Sequence, residues 1–97
     1  MTFYHYTLKK DLPSILRHGI VPGFQKGPYG NQPDTRGVWL DTIQFNILTP
    51  GWFVLTINGG MLDPAKLSIS NYRRWHLYSG TIPPEAIGIE NAVQYRD

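Results

Sequence analysis

The sequence contains no cysteine. A disulfide frame, a thiolate nucleophile and a zinc–thiolate centre are therefore excluded, and a reducing, cytoplasmic setting is expected. Long apolar runs are missing too. No window approaches the roughly 20 residues of a membrane span, and Met1-Thr2 leads into strand-like sequence rather than a signal peptide, so no membrane association is expected. Charge is sparse: 16% of residues are charged against 41% hydrophobic, far from the composition of disordered chains. Nine Lys+Arg against seven Asp+Glu leave a net charge of +2, and no like-charge run exceeds the pairs Lys9-Lys10 and Arg73-Arg74. This is too mild for duplex nucleic acid as the main partner, whereas an anionic small molecule needs only one or two well-placed arginines. The three histidines have no ligand spacing such as HExxH, so no metal site is expected.

What is present fits one 97-residue domain organised around Phe3 to Gly23. Thr2 to Leu8 alternates, placing Phe3, His5 and Thr7 on one strand face and Tyr4, Tyr6 and Leu8 on the other. Asp11 is placed to cap a helix over Leu12 to His18, with Pro13 in its first turn, an apolar stripe of Leu12, Ile15 and Leu16, and Gly19 as its stop. Val21 to Arg36 is rich in Gly, Pro, Asn and Asp and reads as a long loop, either functional, as a lid or a binding loop, or mobile; its Phe24 and Tyr29 suit a lid over a flat ring. Strands follow at Gly37 to Asp41, Trp52 to Ile57 (the most strand-like run, expected to be central), Leu67 to Ile69, Arg74 to Tyr78, Ile87 to Ile89 and Ala92 to Tyr95. Thr42 to Leu48 is ambiguous between a helical turn and irregular chain, and turns are expected at Asn58-Gly59-Gly60, Asp63-Pro64 and Ile82 to Glu85. One early helix followed mostly by strands predicts an α+β domain.

These segments, in order, resemble ADP-ribosyltransferase-like domains, in particular the branch of DNA-modifying toxins and RNA 2′-phosphotransferases. The resemblance is carried by His5-Tyr6-Thr7, by Leu12-Pro13-Ser14-Ile15-Leu16-Arg17-His18-Gly19-Ile20, by Gly37-Val38-Trp39-Leu40-Asp41-Thr42, and by the later stretches Thr56 to Leu67 and Trp75 to Ile89. It implies a small split β-sheet fold holding NAD, as substrate, or an ADP-ribose-like nucleotide in a cleft between two sheets, with possible transfer to a protein or nucleic-acid target. In that frame His5 bonds a ribose hydroxyl, Trp39 or Tyr29 stacks on nicotinamide, and Thr7, Arg36 and Thr42 complete the site. The sequence departs from the family at Arg73-Arg74-Trp75-His76, where many transferring members carry a glutamate.

Breaking a nicotinamide–ribose bond builds positive charge on the sugar, which a carboxylate offsets. Asp41, Glu85 and Glu90 are the candidates, each with a plain structural role beside the chemical one. Asp41 is as readily a cap and Glu85 a turn residue. Arg17, Arg36, Arg73 and Arg74 offer the alternative of a phosphate-handling set in an RNA or DNA end-processing transferase. The missing glutamate also motivates a catalytically inactive reading: a phage or mobile-element protein that sequesters a nucleotide or blocks a host defence protein.

Overall fold

The computed structural model describes residues 1–23, 36–44, 51–69 and 74–89. The expected loop aromatics Phe24 and Tyr29, Arg73, Glu90 and the strand expected at Ala92 to Tyr95 lie outside the described residues.

The alternating aromatic run at the start forms strand β1, Thr2–Leu8, whose odd residues Phe3, His5 and Thr7 are buried while Tyr4, Tyr6 and Leu8 are half-buried and Thr2 is exposed. A 3-10 turn, Lys9–Asp11, leads directly into helix α1, Leu12–His18. This direct entry corrects the expected cap. Asp11 itself has helical dihedrals, φ −92° and ψ −11°, and its side chain makes no capping bond. The expected apolar stripe is also narrower than foreseen. Ile15 is buried and Leu12 packs partly against the core, but Leu16 is exposed, because a seven-residue helix meets the sheet through little more than one turn. Gly19 ends the helix at φ 83° and ψ −172°, a conformation open almost only to glycine. Its N–H bonds the Ile15 carbonyl, and the next residue, Ile20, exchanges two backbone bonds with Ile82. A Cβ on Gly19 would lie 2.1 Å from the Ile82 carbonyl oxygen, so the helix end docks by backbone approach that only glycine permits.

The remaining strands are β2 (Val38–Asp41), β3 (Trp52–Asn58), β4 (Leu67–Ile69), β5 (Trp75–Tyr78) and β6 (Ile87–Ile89). Three further 3-10 turns, Gly59–Met61, Pro64–Lys66 and Pro84–Ala86, replace the simple turns expected there. Two are fastened by local side-chain bonds, from Gly60 N–H to Asn58 and from Ala65 N–H to Asp63.

All six strands join one antiparallel sheet in the order β4-β5-β2-β1-β3-β6. With one short helix among the described residues this is a mostly-β α+β domain. β3, expected to be central, is an interior strand between β1 and β6, and the middle of the sheet is β2 and β1. The join between those two is narrow. β1 pairs with β3 along all seven residues but shares a single register pair with β2, Tyr4 opposite Asp41. The sheet is thus continuous where two sheets were expected, yet its halves meet at one pair.

Residues opposite one another in a ladder share a face. Phe3, His5, Leu40, Leu55, Ile57 and Tyr78 therefore lie on the face that carries the core, completed by Ile15, Ile20, Leu62, Ile82 and Ala86. The other face carries Tyr4, Tyr6, Trp39, Asp41 and Trp75.

Candidate functional site

The single pair joining β1 to β2 leaves the next backbone groups of these strands without a ladder, and side chains take over on both faces. On the core face His5, 5% exposed, reaches across so that its Nδ1 lies 3.0 Å from the Trp39 carbonyl oxygen. A carbonyl only accepts, so Nδ1 carries the proton and donates. Burial holds the imidazole below its ordinary pKa, against the smaller opposing effect of the Trp39 bond, so the ring stays neutral at pH 7. The remaining nitrogen, Nε2, is then a bare lone pair. It is buried and has no hydrogen-bond partner.

Two residues along the same face, about 7 Å by strand geometry, Thr7 is likewise 5% exposed. It lines a cleft of about 370 Å³ between the end of β1 and α1, whose walls are Asp11, Ser14, Ile15, His18, Gly19 and Val21. This volume is at the small end for ligand sites.

The opposite face is organised by a buried carboxylate. Asp41 is fully buried and takes four donors: the Ile43 N–H (3.0 Å) and Arg74 Nε (2.8 Å) on Oδ1, and Arg74 Nη2 (2.7 Å) and the Tyr6 hydroxyl (2.7 Å) on Oδ2. Burial pushes this carboxyl up, but the Arg74, Tyr6 and Ile43 bonds outweigh it and hold it below the usual carboxylate range. The same bonds hold Arg74 more firmly protonated than usual. The network ties β1, β2 and the residue that opens β5 into one clamp.

The residues singled out from the sequence thus divide. His5 and Thr7 share the buried core face. Trp39 lies on the other face, half-buried with the Arg36 guanidinium over its ring at 5.7 Å, and it meets His5 only through its backbone carbonyl. Thr42 donates its hydroxyl to the Arg74 carbonyl at 2.8 Å, so that proton is already committed. Tyr29 lies outside the described residues. Of the candidate carboxylates, Asp41 is saturated within the clamp, and Glu85 is exposed on the Pro84–Ala86 turn. The described arginines occupy three separate settings: Arg17 exposed on α1, Arg36 on Trp39, and Arg74 on Asp41 with its guanidinium also over Trp75 at 5.5 Å.

Asp11, Ser14 and His18 were read from the sequence as cap, helix and helix-end residues, and their place in the cleft was not foreseen. Their spacing carried the signal, since residues three and four apart lie on one helix side. Among the described residues no group of three or more His, Asp or Glu side chains stands together as a metal site, and no helix is long and apolar enough to cross a membrane. No family model, curated protein or solved structure matches the chain.

Proposed function

We propose that the chain is an ADP-ribosyltransferase-like domain that binds NAD or an ADP-ribose-like nucleotide in the cleft between β1 and α1. His5 is the residue that orients the ligand's sugar. One observation carries this reading: a neutral imidazole is locked by its Nδ1 bond while its buried Nε2 has no partner. A fixed acceptor of this kind matches a hydroxyl donor, and a ribose supplies two. Thr7 extends the same face into the cleft.

Titration calorimetry with NAD and with ADP-ribose tests the reading. His5→Leu removes the acceptor and leaves a ligand hydroxyl unpaired, a loss of about 1–3 kcal/mol, which weakens binding roughly 5- to 150-fold. Unchanged binding by this variant, or no binding by the wild-type protein, overturns the proposal.

A second reading, a catalytically inactive protein that acts by sequestering a nucleotide or blocking a host defence protein, is favoured by Arg74. It stands where the resemblance places a glutamate, and it is paired with the saturated Asp41. Nicotinamide release from NAD separates the two: binding without release supports the inactive protein.

A further inference from the structure

Five asparagines occur in the sequence, and only Asn58 is followed by glycine. Such a pair is open to ring closure, because a residue without a side chain leaves its amide nitrogen unhindered beside the asparagine carboxamide. Asn58 ends β3 in an exposed position, so water reaches it. Packing demands the glycine: a Cβ at Gly59 would stand 2.5 Å from the Met1 carbonyl oxygen and 2.9 Å from the ring of Phe3, a core residue. The contacts that close this end of the sheet therefore fix a reactive pair in place.

Three features hold that pair in an unreactive arrangement. The Gly59 N–H, whose nitrogen would attack, donates to the Met1 carbonyl at 2.8 Å. The Asn58 backbone is extended, at φ −75° and ψ 101°, which turns the Gly59 nitrogen away from the side-chain carbon it would have to reach. The Asn58 Oδ1 accepts the Gly60 N–H at 3.0 Å, and this bond fixes the carboxamide. All three lie where the β1–β3 ladder ends, at and just beyond the pair Thr2 opposite Asn58, so one local opening releases them together.

We infer that Asn58 is a site of spontaneous deamidation, held closed by the Met1 carbonyl and released when this end of the β1–β3 ladder opens. In the reaction the Gly59 nitrogen gives up its proton to solvent base and bonds to Asn58 Cγ. The Cγ–Nδ2 bond breaks, and Nδ2 takes a proton from water and leaves as ammonia, giving a cyclic imide. Water then adds to one of the ring carbonyls and the C–N bond at that carbon breaks, leaving aspartate when the carbon is Cγ and isoaspartate when it is the backbone carbonyl. Net, one water is consumed and one ammonia released. Isoaspartate lengthens the main chain by one carbon ahead of Gly59, so its N–H loses register with the Met1 carbonyl and Phe3 loses the glycine packed against it. No part of this chemistry depends on the nucleotide reading.

The test incubates the protein in mildly alkaline buffer, native and in denaturing urea, and follows conversion of Asn58 by peptide mapping with mass spectrometry. Wild type is expected to convert about 10-fold or more slowly when native than in urea, as for a site reached only through local opening. Gly59→Ala, whose Cβ displaces the Met1 carbonyl, is compared with its own rate in urea, which cancels the intrinsic difference between glycine and alanine as the following residue. Its native protection is expected to shrink to about threefold or less. Equal wild-type rates in both conditions, conversion confined to other asparagines, or undiminished protection in Gly59→Ala overturns the proposal. Should circular dichroism show Gly59→Ala to be unfolded, wild type in sub-denaturing urea decides. Asn58 conversion that rises in step with hydrogen exchange at the Gly59 amide supports the proposal, and conversion that stays constant while that exchange rises overturns it.

Discussion

Replacing His5 by leucine conserves side-chain volume closely while removing a buried imidazole, and the consequences for stability can be worked out bond by bond. The wild-type fold keeps Nε2 buried without a partner, at a cost of about 1–3 kcal/mol. Leucine removes that cost. It also removes the Nδ1–H bond to the Trp39 carbonyl, worth about 0.5–1.5 kcal/mol net, and leaves that carbonyl less well satisfied. The opposing changes nearly cancel, so near pH 7.5 the variant should lie within about 1 kcal/mol of wild type, whereas truncating an ordinary buried side chain costs about 2–5 kcal/mol.

The pH dependence is the sharper readout. The folded-state pKa of His5 is lowered from the ordinary 6.5. Below that value the unfolded chain takes up a proton that the folded chain refuses, so stability is fully present above it and falls as pH drops toward the folded pKa. The slope reaches about 1.4 kcal/mol per pH unit. His18 and His76 are common to both proteins, so the difference between the two curves isolates His5. The wild-type curve should therefore fall relative to that of the variant as pH drops below 6.5, measured by urea denaturation followed through tryptophan fluorescence. A variant that loses more than about 3 kcal/mol near pH 7.5, or keeps the full wild-type slope, would refute the reasoning and make His5 an ordinary structural residue.

Two further outcomes follow from the clamp and the helix end. Arg74→Ala leaves a fully buried Asp41 with only Tyr6 and the Ile43 N–H as donors; because the Arg74 side chain is 39% exposed, part of the usual 3–5 kcal/mol penalty is relieved, and a loss of about 2–4 kcal/mol is expected by urea denaturation. A loss under about 1 kcal/mol would make the pair an ordinary surface ion pair. The Asp41 carboxyl, lowered from 3.8 in the fold, contributes stability that is present above that value and lost as pH falls through its folded pKa, so the variant should also show a shallower acid limb. Gly19→Ala combines a glycine-only backbone conformation, about 1–3 kcal/mol, with a Cβ 2.1 Å from the Ile82 oxygen. It should reduce hydrogen-exchange protection at the Ile20 and Ile82 amides before the rest of the sheet, and unchanged protection there would show that the helix end docks differently.

Local signals were readable where the determinant is local. β1 and α1 have their expected bounds, because a period-two run gives way to a proline-started helix closed by Gly19, and the short strands β4 and β6 also fall where expected. The clamp was not readable. It pairs Asp41 with Arg74, residues 33 apart in sequence, through a β2–β5 register that neither strand encodes alone. The division of the site has the same origin. Parity along a strand placed Trp39 and Asp41 on one face correctly, but which face of β2 matches His5 depends on the register of β2 with β1, set by the single pair Tyr4–Asp41. Asp11 was misread for a different reason: an aspartate before a helix usually caps it, and the preceding 3-10 turn gives it helical dihedrals instead.

The two faces of the β1–β2 seam show why the same narrow join supports both a structural and a ligand-facing reading. A buried polar group that serves only the fold is favoured when all its hydrogen-bonding capacity is used. Asp41 meets that condition with four donors on two oxygens, so converting it to a reactive group would first require dismantling the clamp. His5, on the other face of the same seam, uses one ring nitrogen to replace a missing ladder bond and leaves the other empty. The asymmetry directs the search for function to the α1 side, where Thr7, two residues along the core face from His5, lines the cleft, and away from the Trp39 and Arg74 face that the motif alone would have favoured.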